Sequence, residues 1–515
     1  MITIQKPYIQ QEDGWTKLVI DVNVDGEKRQ IWVSVEKKYE EYLCYERSDA
    51  VLIGLLSYAL RHKHDIVCEA PVTDELLYNI NEVLLPALLR NDDKNHSVKI
   101  YCETAECIQK TAVHGLGGVG TGLSCGVDSF HAVAKHYKSP YKSNALTHLA
   151  IYNNGSFNGI YRNSGLDYVR QKTWERAEKV ANELSLPIVM VNSNIHKTFP
   201  QNHYLTNTYT DIFAVYVLQK LWKTYYYASG YDYSEFKLDN NLNIACAHFD
   251  ILLCDCFSTS EIRLYSEGAS ETRNNKILYI SDFEPARKNL HVCTAKEINC
   301  GHCEKCMRTL MAMDALGKLD DFREAFDIEE YKMNRSRCYN NLCKQYALGD
   351  FYAKLTLDML YDDHKEEFDK YLSEYTLEKQ IRRAEEQQKL VNIWRAYTTI
   401  FEKRIDKTRL KEELTERFVR QNVKTIAFYG DGELRRFLYS VINEIDDVEV
   451  KYIVEDGKFD WLPFPSYKRT DIDLPAVDLM IITDVLAFPA IKRMVERDYS
   501  YNTVTAEELI TGQGE

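Results

Sequence analysis

Alternating apolar and polar residues mark the start of the chain. Lys17–Val24 and Gln30–Val35 alternate around Asp25-Gly26, which is typical of a tight hairpin turn, so the sequence predicts two antiparallel strands. Ser48 precedes an apolar-periodic helix that ends near residue 60 and would cap its N-terminus. Residues 1–110 are therefore predicted to form a small α+β accessory domain. Two further strands and a helix complete it, at Asp65–Glu69, Val98–Cys102 and Asp74–Leu89.

Strand-like and helix-like segments alternate over residues 111–330. This order predicts an α/β domain with a parallel sheet, which binds ligands outside the carboxyl ends of its strands. The predicted strands are Gly122–Ser124, Leu146–Tyr152, Pro187–Val191, Tyr225–Ala228 and Lys276–Ile280. The predicted helices are Ser129–His136, Tyr168–Leu184, Asp211–Leu221 and Cys306–Ala315. Residues 331–418 are charged and helical, as at Leu377–Leu390 and Ile405–Val419, and are predicted to connect two domains.

A second strand–helix alternation occupies residues 419–515. The predicted strands are Lys424–Tyr429, Val448–Val454 and Asp478–Thr483, and the predicted helix is Gly432–Asn443. Gly430-Asp-Gly432 follows the first strand and resembles the start of the Rossmann motif GxGxxG, with Arg435 in place of the third glycine. Glu455 and Asp456 follow the next strand, where that motif expects a ribose-binding acid. About 95 residues accommodate at most a half-Rossmann unit, which either binds a nucleotide or sugar nucleotide or serves as an interaction domain without ligand.

Composition narrows the class of protein. The 515 residues carry 64 Lys plus Arg and 78 Asp plus Glu, a net charge of −14. An acidic chain repels phosphate backbones, so nucleic acid is not expected as the main partner. The sequence has neither an apolar run of transmembrane length nor a signal peptide, so a cytoplasmic protein without a membrane partner is expected. The 14 Cys are then expected to be thiols or metal ligands rather than disulfides.

A glycine-rich stretch carries the strongest chemical signal. Six of the 22 Gly lie between residues 115 and 126, and Ser124-Cys-Gly-Val-Asp-Ser129 lies between a predicted strand and a predicted helix. Backbone N–H groups at a helix N-terminus suit a phosphate group. Gly126 would let the backbone approach a ligand closely. Asp128 is expected to hold Mg²⁺ beside the phosphates. A Walker A lysine is missing, which excludes an ordinary P-loop.

The segment 124–129 resembles the SGGxDS loop of the PP-loop ATP pyrophosphatases. Such enzymes cleave ATP between its α and β phosphates and adenylate a carbonyl or carboxylate oxygen. The resemblance implies that ATP contacts Ser124, Cys125, Gly126, Val127, Asp128 and Ser129. Cys125 replaces the usual glycine and would be strained if that position needs a positive φ. A persulfide-carrying role for Cys125, as in thiolating members of the superfamily, is a second interpretation.

The resemblance extends to residues farther along the chain. Tyr152 ends a strand that would meet the base or ribose, and Ala228, Ser229 and Gly230 end a later strand that would contact the nucleotide. Arg273 and Lys276 would stabilise the leaving pyrophosphate and, with Asp128 and Ser129, form the predicted catalytic set. A solvated turn is the alternative for these two cations. His196, His203 and His248 are isolated along the sequence, which is typical of surface or core positions.

Four cysteines form the second strong signal. Cys293, Cys300, Cys303 and Cys306 have the spacing of a closed tetrahedral zinc site. Gly301 favours the turn between two of them. A [4Fe–4S] cluster is the alternative, because CxxCxxC also occurs in ferredoxins. His302 is a substitute ligand, although four Cys suffice.

The loop and the cysteine cluster together resemble 7-cyano-7-deazaguanine synthase of the queuosine pathway over about residues 111–325. That family adenylates 7-carboxy-7-deazaguanine, forms its amide with ammonia and converts the amide to a nitrile. The resemblance implies ATP, Mg²⁺ and structural zinc, a small carboxylate substrate or a macromolecular acceptor, and a homo-oligomer. The alternatives are a tRNA-thiolating or sugar-amidating PP-loop enzyme, and a nucleotide-binding protein without turnover.

Overall fold

The computed structural model divides the chain into two compact units, Met1–Leu372 and Ser373–Glu515. None of the helices it describes combines the length and apolar character that a membrane crossing requires. The described residues are 1–89, 98–107, 117–157, 165–238, 244–373, 375, 381–382, 384–388, 391, 407–430, 433–455, 464–468, 471, 474–483, 492, 495 and 502–511. His114, Asp431, Gly432, Asp456 and half of the predicted helix Leu377–Leu390 lie outside these residues.

A mixed, mostly parallel sheet forms the centre of the first unit. Its strands follow the order β13-β12-β9-β10-β11-β4-β3-β1-β5-β7, and β2 pairs with β3 beside this path. A separate pair, β6 and β8, is parallel. The strands are β1 Ile2–Ile4, β2 Tyr8–Glu12, β3 Trp15–Val24, β4 Glu27–Glu36, β5 Ile66–Cys68, β6 Val72–Thr73, β7 Ile100–Tyr101, β8 Thr104–Ala105, β9 Gly118–Gly122, β10 His148–Asn153, β11 Ile188–Ser193, β12 Trp222–Ala228 and β13 Arg263–Glu267.

The predicted hairpin is confirmed and extends the central sheet. Strands β3 and β4 pair around Asp25-Gly26, and Val24 lies opposite Glu27. Strand β4 also pairs antiparallel with β11, where Ser193 lies opposite Val33. One sheet therefore joins the segments 1–110 and 111–330 that the sequence separates.

Five parallel strands, β9 to β13, form the part of the sheet that carries the candidate site. In chain order their arrangement is 3-2-1-4-5, so the order reverses between β9 and β12. In such sheets the carboxyl ends on either side of the reversal form a crevice where ligands bind. The predicted strand Lys276–Ile280 is wrong: these residues lie in a helix, and the fifth strand is β13.

Helices cover the sheet, and their apolar faces form its core. Helix α1 packs on α7, and Gly54 of α1 allows this because a Cβ there would lie 2.9 Å from Ile195 and 3.1 Å from Phe213. The helices are α1 Asp49–His62, α2 Asp74–Tyr78, α3 Leu85–Leu89, α4 Val127–His136, α5 Leu166–Leu184, α6 Ile195–Thr198, α7 Asn207–Val217, α8 Asp250–Cys256, α9 Arg273–Ser281, α10 Glu284–Asn289, α11 Glu304–Ala315, α12 Ile328–Met333, α13 Arg335–Ala347 and α14 Phe351–Leu360.

Three glycines of the glycine-rich stretch, Gly118, Gly120 and Gly122, lie within strand β9, and Gly126 lies in the loop that follows it. A Cβ at Gly120 would lie 2.3 Å from the Trp222 ring, and a Cβ at Gly118 would lie 3.0 Å from the Leu221 carbonyl oxygen. These glycines therefore make room for the fully buried Trp222 on the neighbouring strand. The prediction that the strand begins at Gly122 is wrong for this reason: the strand ends there.

The second unit contains a five-stranded parallel sheet. Its order, β16-β15-β14-β17-β18, is again 3-2-1-4-5 in chain order, and it is larger than the predicted half-Rossmann unit. Two of its strands have only two or three residues, too few for a sequence pattern. The elements are α15 Lys407–Gln421, β14 Thr425–Tyr429, α16 Glu433–Ile442, β15 Glu449–Val454, β16 Ser466–Tyr467, β17 Leu479–Ile482, β18 Thr503–Thr505 and α17 Ala506–Thr511.

Helix α15 belongs to the core of the second unit. Leu410, Leu414 and Phe418 recur every four residues on one face of the helix and are buried with the strands of that sheet. The helix therefore packs as part of this unit, although the sequence places it in the connector.

Candidate functional site

The loop between β9 and α4 presents its polar groups at a helix N-terminus. Gly126 is the residue before the helix, and its N–H donates to Ser124 Oγ at 3.4 Å. Ser124 Oγ donates to Ser129 Oγ at 3.2 Å, and Ser129 Oγ also donates to the Gly126 carbonyl at 3.1 Å. The two hydroxyls thus tie the loop to the first turn of α4, at the crevice between β9 and β12.

The backbone of Cys125 has a positive φ, so the strain expected for a non-glycine residue at this position is present. Its φ of 60° lies in the left-handed region, and its side chain is 1% exposed. His291 N–H donates to the Cys125 carbonyl at 2.8 Å and holds this turn. Burial raises the pKa of the Cys125 thiol to about 12. The group is therefore a neutral, buried thiol at pH 7, which does not suit a sulfur carrier.

Asp128 lies on the first turn of α4 and contacts both cations that the sequence singled out. Arg273 Nη1 donates to Asp128 Oδ2 at 2.9 Å, and Lys276 Nζ donates to Asp128 Oδ1 at 3.2 Å. Thr272 begins α9 by accepting from Asn275 N–H, and a three-residue spacing places both cations on one face of that helix. The alternative of a solvated turn is wrong, because the side chains of Arg273 and Lys276 are 9% and 1% exposed.

Burial alone would raise the pKa of Asp128, but the charges of Arg273 and Lys276 outweigh it and lower that pKa. The carboxylate is therefore ionised at pH 7, with a cation on each oxygen. This geometry does not fit the predicted Mg²⁺-holding role of Asp128, because a metal ion there would meet two positive charges about 3 Å from the oxygens. Asp128 instead positions Arg273 and Lys276 beside the loop.

Three residues that the sequence analysis did not predict lie near Arg273: two cations and one aromatic ring. Lys305 and Arg308, one turn apart on α11, lie within electrostatic range of Arg273. The Tyr352 ring of α14 packs against both guanidinium groups, with its centroid 4.5 Å from Arg308 and 5.6 Å from Arg273. Lys305 and Arg308 flank Cys306, and this proximity to a motif is the one sequence signal for them.

The remaining predicted nucleotide contacts have different surroundings. Ser229 is buried at the end of β12, and its carbonyl accepts from Lys276 Nζ at 2.7 Å, which links it to the cations. Ala228 is the last residue of that strand, and the Gly230 carbonyl accepts from Tyr352 Oη at 2.5 Å. Tyr152 belongs to the hydrophobic core rather than to the loop and stacks on Tyr225, with ring centroids 6.1 Å apart.

The four cysteines meet as the spacing predicts. The Sγ atoms of Cys293, Cys300, Cys303 and Cys306 all lie within 4.8 Å of one another. Backbone N–H groups of Ala295 and Lys296 point at Cys293 Sγ, at 3.4 and 3.2 Å, and Cys303 N–H points at Cys300 Sγ at 3.3 Å. Amide donors of this kind favour thiolates and orient them. The cluster therefore fits a metal ion such as zinc, or an iron–sulfur cluster.

Asn299 and Gly301 shape this cluster. Asn299 Oδ1 accepts from the N–H groups of Val292 and Cys293, at 2.9 and 3.2 Å, and its Nδ2 donates to two carbonyls. Gly301 has a φ of 70°, which the turn between Cys300 and Cys303 requires. His302 lies outside the four-sulfur group and pairs with Glu330 at 2.9 Å.

Comparisons of the chain with protein-family models, with curated proteins and with solved structures found no match. The residues of the site themselves indicate its chemistry. They bring together a helix N-terminus, two hydroxyls and a group of cations at the crevice of a parallel sheet.

Proposed function

We propose that the first unit binds ATP at residues 124–129 and transfers the adenylyl group to a carboxylate or amide oxygen, as PP-loop ATP pyrophosphatases do. The observation that carries this proposal is the pair of buried cations held by Asp128 at the N-terminus of α4. A polyphosphate is the ligand that suits several cations and backbone N–H groups in one crevice.

The proposed first step is a displacement at the α-phosphorus of ATP. A substrate oxygen forms a bond to that phosphorus, the bond to the bridging oxygen breaks, and pyrophosphate leaves with the electron pair. Arg273 and Lys276 would stabilise the negative charge on the leaving group, and the Gly126–Ser129 backbone would orient the phosphates. Asp128 is a positioning residue in this scheme, because both of its oxygens hold the cations.

The proposed second step resembles that of 7-cyano-7-deazaguanine synthase. Ammonia attacks the adenylated carbonyl carbon, AMP leaves, and the released proton goes to solvent, which yields the amide. A second adenylation of the amide oxygen followed by loss of AMP and a proton yields the nitrile. Zinc held by the four cysteines would be structural, since four thiolates leave no open coordination position.

The test is analysis of the nucleotide products. The purified chain is incubated with Mg²⁺-ATP, ammonium and 7-carboxy-7-deazaguanine, and mass spectrometry resolves AMP from ADP. We expect AMP, pyrophosphate and a nitrile. We expect Lys276→Met to lower the rate of AMP formation by about 100-fold, as removal of one transition-state donor does. Lys288→Met is the matched control, because Lys288 is partly exposed and pairs with Glu284 on another helix, α10.

Each outcome separates the alternatives. AMP without nitrile keeps adenylation and moves the search to another acceptor, such as a sugar or tRNA. Binding of ATP without AMP under any of these conditions, with Lys276→Met weakening that binding, indicates a nucleotide-binding protein without turnover. Equal AMP formation by Lys276→Met and the wild type would refute the site itself.

A further inference from the structure

A small polar cavity lies beside the carboxyl ends of β10 and β11. Its volume is about 20 Å³, which accommodates a single molecule the size of water. Asn154 follows β10, and His196 follows β11, so the cavity opens on the same edge of the sheet as the loop after β9. Its polar lining consists of Asn154, His196, Gln201, His203, Thr206 and Thr210.

Several polar atoms of this lining are buried without a hydrogen-bond partner among the described residues. They are Asn154 Oδ1, Gln201 Oε1 and both ring nitrogens of His196. Asn154 is 1% exposed, and its Nδ2 donates to Asp211 Oδ1 at 2.8 Å, which fixes the amide with its oxygen unpaired. Buried polar groups are otherwise almost always hydrogen-bonded, so these atoms indicate a ligand.

The charge state of the lining follows from its burial. Burial lowers the pKa of His196, and burial together with the charge of Lys305 lowers the pKa of His203 to about 4. Both imidazoles are therefore neutral at pH 7. A neutral His196 offers one N–H donor and one nitrogen acceptor. With the two amide oxygens, the unpaired groups are three acceptors and one donor.

We propose that this cavity binds ammonia, the nucleophile of the amidation step. Ammonia has three N–H donors and one lone pair, which complement three acceptors and one donor. Water has two donors and two acceptors and would leave one acceptor of the cavity unpaired. The proposal deepens the proposed function and rests on it for the use of the bound ammonia.

The surroundings of the cavity connect it to the nucleotide site. His203 lines the cavity and lies within electrostatic range of Lys305, which in turn lies within range of Asp128 and Arg273. Gly155 closes the cavity against the histidines with a φ of 126°, and a Cβ there would lie 3.1 Å from His196 Cβ. The cavity volume of about 20 Å³ holds one molecule the size of ammonia and leaves no room for an added methyl group.

Binding is tested without an acceptor substrate. Thermal unfolding of the full chain is compared in 100 mM ammonium, methylammonium and sodium chlorides at one pH and ionic strength. We expect ammonium alone to raise the melting temperature, by about 1–2 °C relative to sodium. Gln201→Leu, which removes one acceptor, should abolish this rise. The matched control Gln171→Leu, at an exposed position of α5, should retain it.

His196→Phe, which keeps a ring and removes both nitrogens, is the second test if Gln201→Leu does not fold. A rise of equal size in methylammonium, or one that Gln201→Leu retains, would overturn the proposal. Where AMP forms, Gln201→Leu should raise the KM for ammonium about tenfold and leave the KM for ATP unchanged. An unchanged ammonium KM refutes the cavity alone, whereas ammonium-specific stabilisation without AMP supports the cavity and refutes the amidation chemistry.

Discussion

Replacing Asp128 by asparagine tests the central electrostatic feature of the site. Asp128→Asn keeps the shape of the side chain and removes its charge. Arg273 and Lys276, 9% and 1% exposed, then lose the carboxylate that each of them contacts at 2.9–3.2 Å. The substitution thus leaves two positive charges buried near each other without that counter-charge.

The expected cost follows from this burial. Removing one partner of a buried ion pair costs about 3–5 kcal/mol, because the other charge is left unpaired. Asp128 is 24% exposed, so solvent screens part of the interaction, and we expect a loss of about 2–4 kcal/mol at pH 7. Adenylation should fall as well, because the two cations lose the group that positions them.

The contribution of Asp128 to the free energy of unfolding decreases as the pH falls. The folded-state pKa of Asp128 is lowered below the ordinary value of 3.8, so its contribution to stability is complete above pH 3.8. The contribution is lost as the pH falls from 3.8 through the folded-state pKa. The difference between wild type and Asp128→Asn should therefore be equal at pH 7 and pH 5 and should shrink below pH 4.

Urea unfolding followed by tryptophan fluorescence measures this difference, since Trp174 and the buried Trp222 lie in the first unit. Asp282→Asn is the control, because Asp282 is 86% exposed and its ion pair with Lys318 is 3.9 Å long. We expect that control to change stability by less than about 0.5 kcal/mol. Equal stability of Asp128→Asn and wild type at pH 7 would refute the buried ion network.

Three further predictions concern the metal, the loop thiol and a second ion network. Cys300→Ser should release the bound metal, measured by elemental mass spectrometry, and destabilise the first unit by more than about 3 kcal/mol; full metal retention would contradict this. Cys125→Ala should keep AMP formation within about twofold, since the thiol is neutral and buried, and a complete loss would revive the persulfide role. Burial alone would raise the pKa of Glu267, but hydrogen bonds from His136 and Lys135 lower it to about 2. Glu267→Gln should therefore cost about 2–3 kcal/mol at pH 7 in urea unfolding, and this cost should decrease as the pH falls from 4.5 towards 2; a pH-independent cost would contradict it.

The sequence predicted elements well where their pattern is local. The hairpin around Asp25-Gly26 and the alternation of strands and helices in both sheets follow from turn chemistry and periodicity, and the structure confirms them. It failed where distant packing determines the conformation. Gly118 and Gly120 lie in a strand although glycine disfavours strands, because side chains there would collide with Leu221 and Trp222 of a distant segment. No local pattern contains that requirement.

Residues 276–280 illustrate a second failure. Their apolar side chains fit a strand equally well, and Ile277 and Ile280 are buried on one side of helix α9 instead. The Thr272 cap was the signal for a helix there. Because a strand was predicted here, the sequence did not show that Arg273 and Lys276 act together. Only the spacing of a helix places both of them beside Asp128.

Site residues that meet through contacts between distant segments of the chain could not be predicted from local sequence patterns. Tyr352 lies in a segment with the composition of a connector, yet its ring packs on Arg273 and its hydroxyl contacts Gly230. His196 and His203 are isolated in the sequence and meet in one cavity only because the ends of β10 and β11 are adjacent.

The cysteine cluster and the cationic group share one helix, so a metal bound by the cysteines would have a defined structural role. Helix α11 begins directly after Cys303 and carries Cys306 in its first turn, with Lys305 and Arg308 beside it. A metal bound by the cysteines would fix the start of this helix and thereby the position of both cations relative to Arg273. Removal of the metal should therefore weaken binding of ATP, although no cysteine of the cluster needs to touch the nucleotide. If ATP bound equally well to metal-free, folded protein, the cluster and the cations would be independent features of the chain.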